Sequence, residues 1–274
     1  MRLGIIGYDG FVGSALFKTF SEDKKYSVIG INRGNYSEFL GSEFDVLINA
    51  DGNSSKLLAD RDPVADFEMN ALATLKALHD FKSDHYVHIS TVAVYPKTDR
   101  AEATDEGAEI DALSLSNYGF SKYAAELIVK RHAKSWMILR LAGMVGENMK
   151  KGPVYDIIKL GKLFVSAESR YQFLNTIDVA RITQHLIEKN SYGQVYNVVG
   201  KGSIALSEIA RIAKVELMAY GKELHRFNVS TKKIEKEVKL PSSIETVKDF
   251  VTLYNERFKP VGPRNHRLSR RLMN

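Results

Sequence analysis

Cysteine is absent from this chain of 274 residues, proline occurs six times and tryptophan once. Without cysteine there are no disulfides, no thiolate metal sites and no cysteine nucleophile, and nothing follows about the redox state of the compartment. No apolar run approaches the roughly 20 residues that a membrane-spanning helix requires. Acidic residues are missing from the stretch 259–274, which carries Lys259, Arg264, Arg267, Arg270 and Arg271. That stretch holds five of the six net positive charges, so the body is close to neutral and a nucleic-acid partner is not expected. With Pro260, Gly262 and Pro263 in it, the basic tail reads as a solvated terminus, with docking or anion binding as the other reading.

What is present is enough apolar material, 44% of residues, for one large α/β domain or a nucleotide domain with a small lobe. The opening, Met1 to Gly7, runs directly into a strand and a glycine loop. That leaves no room for a cleavable leader within it and sets the expectation of a cytoplasmic protein. Short apolar runs predict strands at 2–7, 26–31, 45–49, 85–90, 135–140 and 193–199. Helical spacing predicts helices from Val12 to Phe20 and at 63–81, 117–133, 153–161, 176–190, 206–219 and 244–258. Alternation of this kind implies a parallel sheet covered on both faces. Only about a dozen residues separate the second strand from the next, too few for a helix and another strand, so the usual third strand is expected to be trimmed away.

The first turn reads Gly7-Tyr-Asp-Gly10-Phe11-Val12-Gly13, between a strand and a helix. Gly7 permits a tight turn, Gly10 lets the backbone approach a pyrophosphate and Gly13 lets the helix pack closely on the strand. Asp9 is unwelcome beside a diphosphate, and its simplest reading is a helix N-cap. At the end of the second strand, where an acidic residue would hold a ribose hydroxyl and repel a 2′-phosphate, stand Asn32 and Arg33. Arg33 favours NADP over NAD, the alternative being a solvated Arg33 with Asn32 bonding a plain ribose.

Further along come Ile89-Ser-Thr91-Val-Ala-Val-Tyr95 and Tyr118-Gly-Phe-Ser-Lys122. A free phenol is a poor acid at neutral pH, so Lys122, one helical turn on, is expected to lower the Tyr118 pKa and reach the nicotinamide ribose. Thr91, at the end of its strand, is expected to donate its hydroxyl to the substrate oxygen, and strand alternation turns Ser90 to the opposite face. His85 and His88, three apart on a strand, point to opposite faces, and no metal is assigned. The acidic stretch 102–111 reads as a solvated loop, with gating of the site as the other possibility.

With Arg140-Leu-Ala-Gly-Met-Val-Gly146 and Phe173-Leu-Asn-Thr-Ile-Asp178-Val-Ala, this set of motifs resembles the extended short-chain dehydrogenase/reductase family, in its NAD(P)-dependent epimerase/dehydratase branch. The resemblance covers most of residues 1–258. It implies a Rossmann-type doubly wound α/β sheet, with residues 1–140 and 173–199 binding NADP or NAD. Residues 141–172 and 200–258 would form a small C-terminal α/β substrate lobe. Asn49 and Ala50 match the family's order beside the cofactor, and Asn70 is expected to bond across to the strand of Thr91. The substrate implied is a nucleotide sugar. Gly143 stands where such enzymes carry a diphosphate-binding asparagine, which leaves Lys150, Lys151 and above all Arg170 as candidate phosphate partners. Three functions remain open: a ketoreductase on a sugar-like substrate, an epimerase retaining its cofactor, or a non-catalytic cofactor sensor or assembly protein. A dehydratase is disfavoured because Thr91 to Tyr95 supplies no acidic pair. A homodimer through the helices at 63–81 and 117–133 is expected.

Overall fold

The computed structural model describes residues 1–257, and its centre is a six-stranded, all-parallel sheet. In chain order β1 (Arg2–Ile6), β2 (Ser27–Ile31), β3 (Glu43–Asn49), β4 (Lys82–Thr91) and β5 (Trp136–Leu141) precede four short strands. These are β6 (Gly143–Val145), β7 (Lys162–Leu163), β8 (Arg170–Tyr171) and β9 (Phe173–Asn175), and β10 (Gln194–Val198) then completes the sheet. Across the sheet the order is β10-β5-β4-β3-β1-β2.

All six sheet strands lie where the apolar runs placed them. The expected gap is real: between β2 and β3 there is a single 3₁₀ turn, Tyr36–Phe39, so β2 is the sheet edge.

Strand alternation divides the core. Val46, Ile48, Val87, Ile89 and Leu139 pack with Leu16 and Phe20 of α1 (Phe11–Ser21) and Leu186 of a helix at Thr176–Glu188. On the other face Leu47, Tyr86 and Ile138 meet Ala77 and Val129. The cover there begins with α2 (Lys56–Arg61), which the sequence reading did not anticipate. It is capped by Ser55, whose side chain accepts from Leu58 N. Next come α3 (Pro63–Phe67), with Asp62 as N-cap and Pro63 in the first turn, a π-helical segment at Glu68–Leu72, and α4 (Ala73–Asp80). Then follows α5 (Asn117–His132), which carries Tyr118 and Lys122.

A second apolar cluster joins Val145, Leu163, Phe173, Ile209 and Val247. It is built from β6, β7, β9, α6 (Pro153–Tyr155) with its continuing π turn, β11 (Ile204–Ala205), α8 (Leu206–Ala213) and α9 (Ser243–Arg257), while α7 (Thr176–Glu188) packs in the first core and the short strand β12 (Met218–Ala219) is exposed. Two expectations need correction here. The helix expected over 206–219 stops at Ala213, because Lys214 turns left-handed at φ 56° and Met218–Ala219 pairs with Lys162–Leu163 instead. Strand pairing and the cap bond from Val215 N to Ala210 O outweigh the helical spacing. The helix expected over 153–161 is mostly a π turn, Asp156–Leu160, ended by Gly161 at φ 62°. The basic segment 259–274 lies outside the described residues, as does residue 258. Among the described residues no helix is long and apolar enough to cross a membrane.

Candidate active site

Gly7 ends β1 at φ 76°, and its N–H donates to Ile31 O of β2 at 2.7 Å. A Cβ on Gly13 would lie 1.9 Å from Gly7 O, so only glycine allows α1 to approach the end of β1 this closely. Gly10 is different: a Cβ there would meet only Gly7 O, at 3.1 Å, with open space beyond. That is a cradle in which backbone N–H groups at the start of α1 face an anion, and it fits the pyrophosphate of a dinucleotide. Phe11 and Val12, half-buried, open the helix behind it.

The N-cap of α1 is Gly10, with no side-chain cap bond, which corrects the reading of Asp9. The Asp9 carboxylate instead accepts from Asn32 Nδ2 at 2.9 Å, because both sit where β1 and β2 end side by side. Asn32 is further engaged through its carbonyl oxygen, which accepts from Gly34 N and Asn35 N. It organises the turn after β2. Arg33 lines a cavity of about 280 Å³ together with Ile6, Tyr36, Asn49, Asp51 and Lys76. Asn49 is buried, donating to Tyr86 OH at 2.8 Å and accepting from Asp51 N, while Ala50 N donates to Ile6 O. These two residues shape the floor of the groove.

Thr91 closes β4 and its hydroxyl caps the next turn, accepting from Ala93 N at 3.2 Å. A Cβ on Gly119 would come within 2.4 Å of Ala93 O, so Gly119 is what lets the start of α5 lie against that turn. Ser116 fixes the start of the helix by accepting from Gly119 N. Tyr118 is thereby brought close to Thr91 and is only 8% exposed. Burial pushes the Tyr118 phenol up to about 12, the Thr91 hydroxyl opposes this and the Asp66 carboxylate adds to it.

Lys122 does not act on the phenol as the sequence spacing implied. Its ammonium donates to Ile89 O of β4 at 2.9 Å, because the lysine stem runs down between α5 and the sheet. Burial lowers Lys122 to about 8, against the raising effect of Glu126, Asp51 and Asp66.

Two buried networks support this pair, and neither was read from the sequence. Asp66 accepts from Asn53 Nδ2, Asn70 Nδ2 and Ser121 Oγ, at 2.6, 2.8 and 2.5 Å. Asn70 therefore ties α5 to the preceding helices rather than bonding to β4, a correction caused by the π turn that points it at Ser121. On the sheet side, Glu126 takes two hydrogen bonds from Arg140 and one from Ser90. Ser90 thus faces away from the Thr91 hydroxyl. Arg140 lies over the Tyr95 ring, and Tyr95 OH donates to Asn197. The signals were available: Asp66 stands four residues before Asn70, and Glu126 four after Lys122, each pair on one helical face.

The acidic stretch is more than a solvated loop, since Glu106 accepts from Asn197 N at 2.9 Å and burial raises its pKa. His85 stacks on Tyr192 at 3.8 Å while His88 is buried, its pKa held well below 6.5 by burial and by Lys122. Arg170 spends its guanidinium on Ser203, Nε on the hydroxyl and Nη2 on the carbonyl, so it serves its own segment rather than standing free for a phosphate. Lys150 and Lys151 are exposed. At Gly143 a Cβ would sit 2.8 Å from both Gln172 O and the Phe173 ring, which leaves no room for an asparagine.

The family model for the NAD dependent epimerase/dehydratase family matches residues 3–199. Among curated proteins none matches the chain. A UDP-galactose 4-epimerase structure superposes with TM-score 0.78 at 20% identity, covering 94% of this chain and 99% of that one. The dTDP-4-dehydrorhamnose reductase of Bacillus anthracis, in complex with NADP, gives 0.76 at 20% identity over 92% and 99%. The UDP-glucuronic acid 4-epimerase of Bacillus cereus, in complex with UDP-glucuronic acid and NAD, gives 0.76 at 18% over 93% and 100%. At these identities the likeness establishes the fold.

Proposed function

The chain belongs to the NAD dependent epimerase/dehydratase family, and from that premise we propose that it is an NADPH-using ketoreductase acting on a sugar-like, nucleotide-linked substrate. The observation that carries this reading is the buried Tyr118 placed beside Thr91 at the C-terminal end of β4. A nicotinamide cofactor, when bound, supplies the hydride to the keto carbon. Gly7, Gly10 and Gly13 hold its diphosphate, Arg33 selects the 2′-phosphorylated form, and Asn49 and Ala50 form the floor. Lys122 would bring a positive charge to the nicotinamide ribose.

The proton comes from the protein. As the carbonyl π electrons move to oxygen, the Tyr118 O–H bond gives its proton to that oxygen, while the Thr91 hydroxyl donates a hydrogen bond to it. A phenol raised to about 12 is fully protonated at neutral pH, which suits donation to a ketone. The phenolate then left regains a proton from solvent.

A nucleotide sugar as substrate draws support from the relatives that act on UDP and dTDP sugars. Residues 141–172 and 200–258 serve as the substrate lobe. A homodimer draws support from the apolar side chains Phe67, Leu72, Phe120 and Leu127, each 40% or more exposed on the helices that include α3 and α5. The setting is the cytoplasm.

The test is to incubate purified protein with NADPH or NADH and a panel of keto- and hydroxy-sugar nucleotides. Net oxidation of NADPH equal to product formed is expected. Sugar interconversion with no net change in cofactor would make it an epimerase that retains its cofactor, the reading that the absence of an acidic pair between Thr91 and Tyr95 also permits. Failure to bind either cofactor would overturn both.

A further inference from the structure

Where a full doubly wound sheet carries a third strand beside β2, this chain has only the turn Tyr36–Phe39, and the groove is walled on that side by α4. The cavity of about 280 Å³ between them is lined by Arg33 from one wall and Lys76 from the other. Both side chains are exposed, and among the described residues neither is held by a carboxylate. Two free cations on opposite walls of one cavity, at the cofactor end of the sheet, are matched by a dianion with oxygens on several sides. Of the carboxylates nearby, Asp9 is held by Asn32 and Asp80 by Tyr36 OH; Asp51 lines the same cavity, and the two cations outnumber it there.

We infer that Lys76 is a specificity-determining residue, closing with Arg33 as a clamp on a phosphomonoester at the adenosine 2′-oxygen. Helix α4 thus supplies the second wall of a pocket that the trimmed strand would otherwise have left open. The inference rests on the proposed use of NADP and assigns a role to a residue outside every motif of the sequence. A planar guanidinium engages two phosphate oxygens in a fixed fork, and a flexible ammonium from the facing helix takes a third.

The test uses nucleotide fragments rather than turnover. Calorimetric titration of the full chain with 2′,5′-ADP and with 5′-AMP compares ligands that differ only by the 2′-phosphate. Lys76→Ala and Arg33→Ala should each weaken 2′,5′-ADP by about tenfold or more. Both should leave 5′-AMP within about twofold, and Lys76→Arg should restore 2′,5′-ADP binding. Added salt should weaken 2′,5′-ADP more than 5′-AMP. Lys76→Ala binding 2′,5′-ADP as wild type does, or losing both fragments equally, overturns the clamp while leaving nicotinamide use intact. Wild type binding the two fragments alike overturns the clamp and the NADP preference together. Wild type binding neither fragment, NADH nor NADPH overturns the cofactor reading itself.

Discussion

The Lys122 ammonium donates to the carbonyl oxygen of Ile89 at 2.9 Å, which fastens α5 to β4 two residues before Thr91. The burial that goes with this position sets the charge that the site can use. Lys122 is lowered to about 8 by its burial, and the carboxylates that oppose this, Glu126, Asp51 and Asp66, come from three different segments.

If a charged Lys122 is required for turnover, kcat/KM should fall as pH rises through about 8. The stability sign runs the other way. With a folded pKa of about 8 against 10.5 for the free side chain, the unfolded chain binds more protons between those values, so stability rises with pH there. Below 8 the full cost of the buried charge is present, on the order of 3 kcal/mol. Lys122→Met should therefore be more stable than wild type at pH 7, and the difference should shrink by pH 10.5 in denaturant titrations.

Tyr118→Phe removes the proton donor and leaves the ring packed. Turnover should fall by about 100-fold or more. NADPH affinity and thermal midpoint should stay near wild type. Unchanged turnover in a correctly folded variant would sink the proposed chemistry.

The Glu126–Arg140 pair is fully enclosed, with Nη2 to Oε2 at 2.6 Å and side-chain exposures of 0% and 1%. Glu126→Gln leaves a buried guanidinium without its counter-charge and should cost roughly 3–5 kcal/mol in chemical unfolding. Because Glu126 also raises Lys122, the alkaline limb of the kcat/KM profile should move to lower pH in the same variant.

The two glycines of the loop should fail differently. Gly10→Ala meets only one backbone oxygen and should keep the thermal midpoint within a few degrees, while losing about tenfold or more in dinucleotide affinity. Gly13→Ala drives a methyl into Gly7 O and should destabilise the fold itself by at least roughly 1–3 kcal/mol.

Gly143→Asn would install the family's asparagine against Gln172 O and the Phe173 ring. Overpacking of this kind costs about 1–3 kcal/mol. Affinity for UDP- and dTDP-sugars should not improve. Tighter binding would show that the pocket can open at this point.

The strands and most helices were legible because burial on a parallel sheet leaves unbroken apolar runs, and because Ser, Asp, Gly and Pro mark where elements begin and end. The reading went astray where a local signal met a stronger partner. Val215 to Ala219 has helical spacing, yet Lys162 and Leu163 offer strand pairing. Asp9 looks like a cap, but β1 and β2 end together and present Asn32 to it. Arg170 looks like a phosphate ligand until Ser203 engages it.

The order and spacing of the glycine loop, Thr91, Tyr118 and Lys122 by themselves determined the fold class and the kind of chemistry, since each follows from local geometry along one strand or helix turn. Tertiary structure alone decided the charge states and the company these residues keep. It buried Tyr118 and raised its phenol to about 12, turned Lys122 onto Ile89 O and set Asp66 and Glu126 around it. It also placed Lys76 across from Arg33. Desolvation and through-space charge depend on distances between segments far apart in the chain, and no spacing within a motif encodes them.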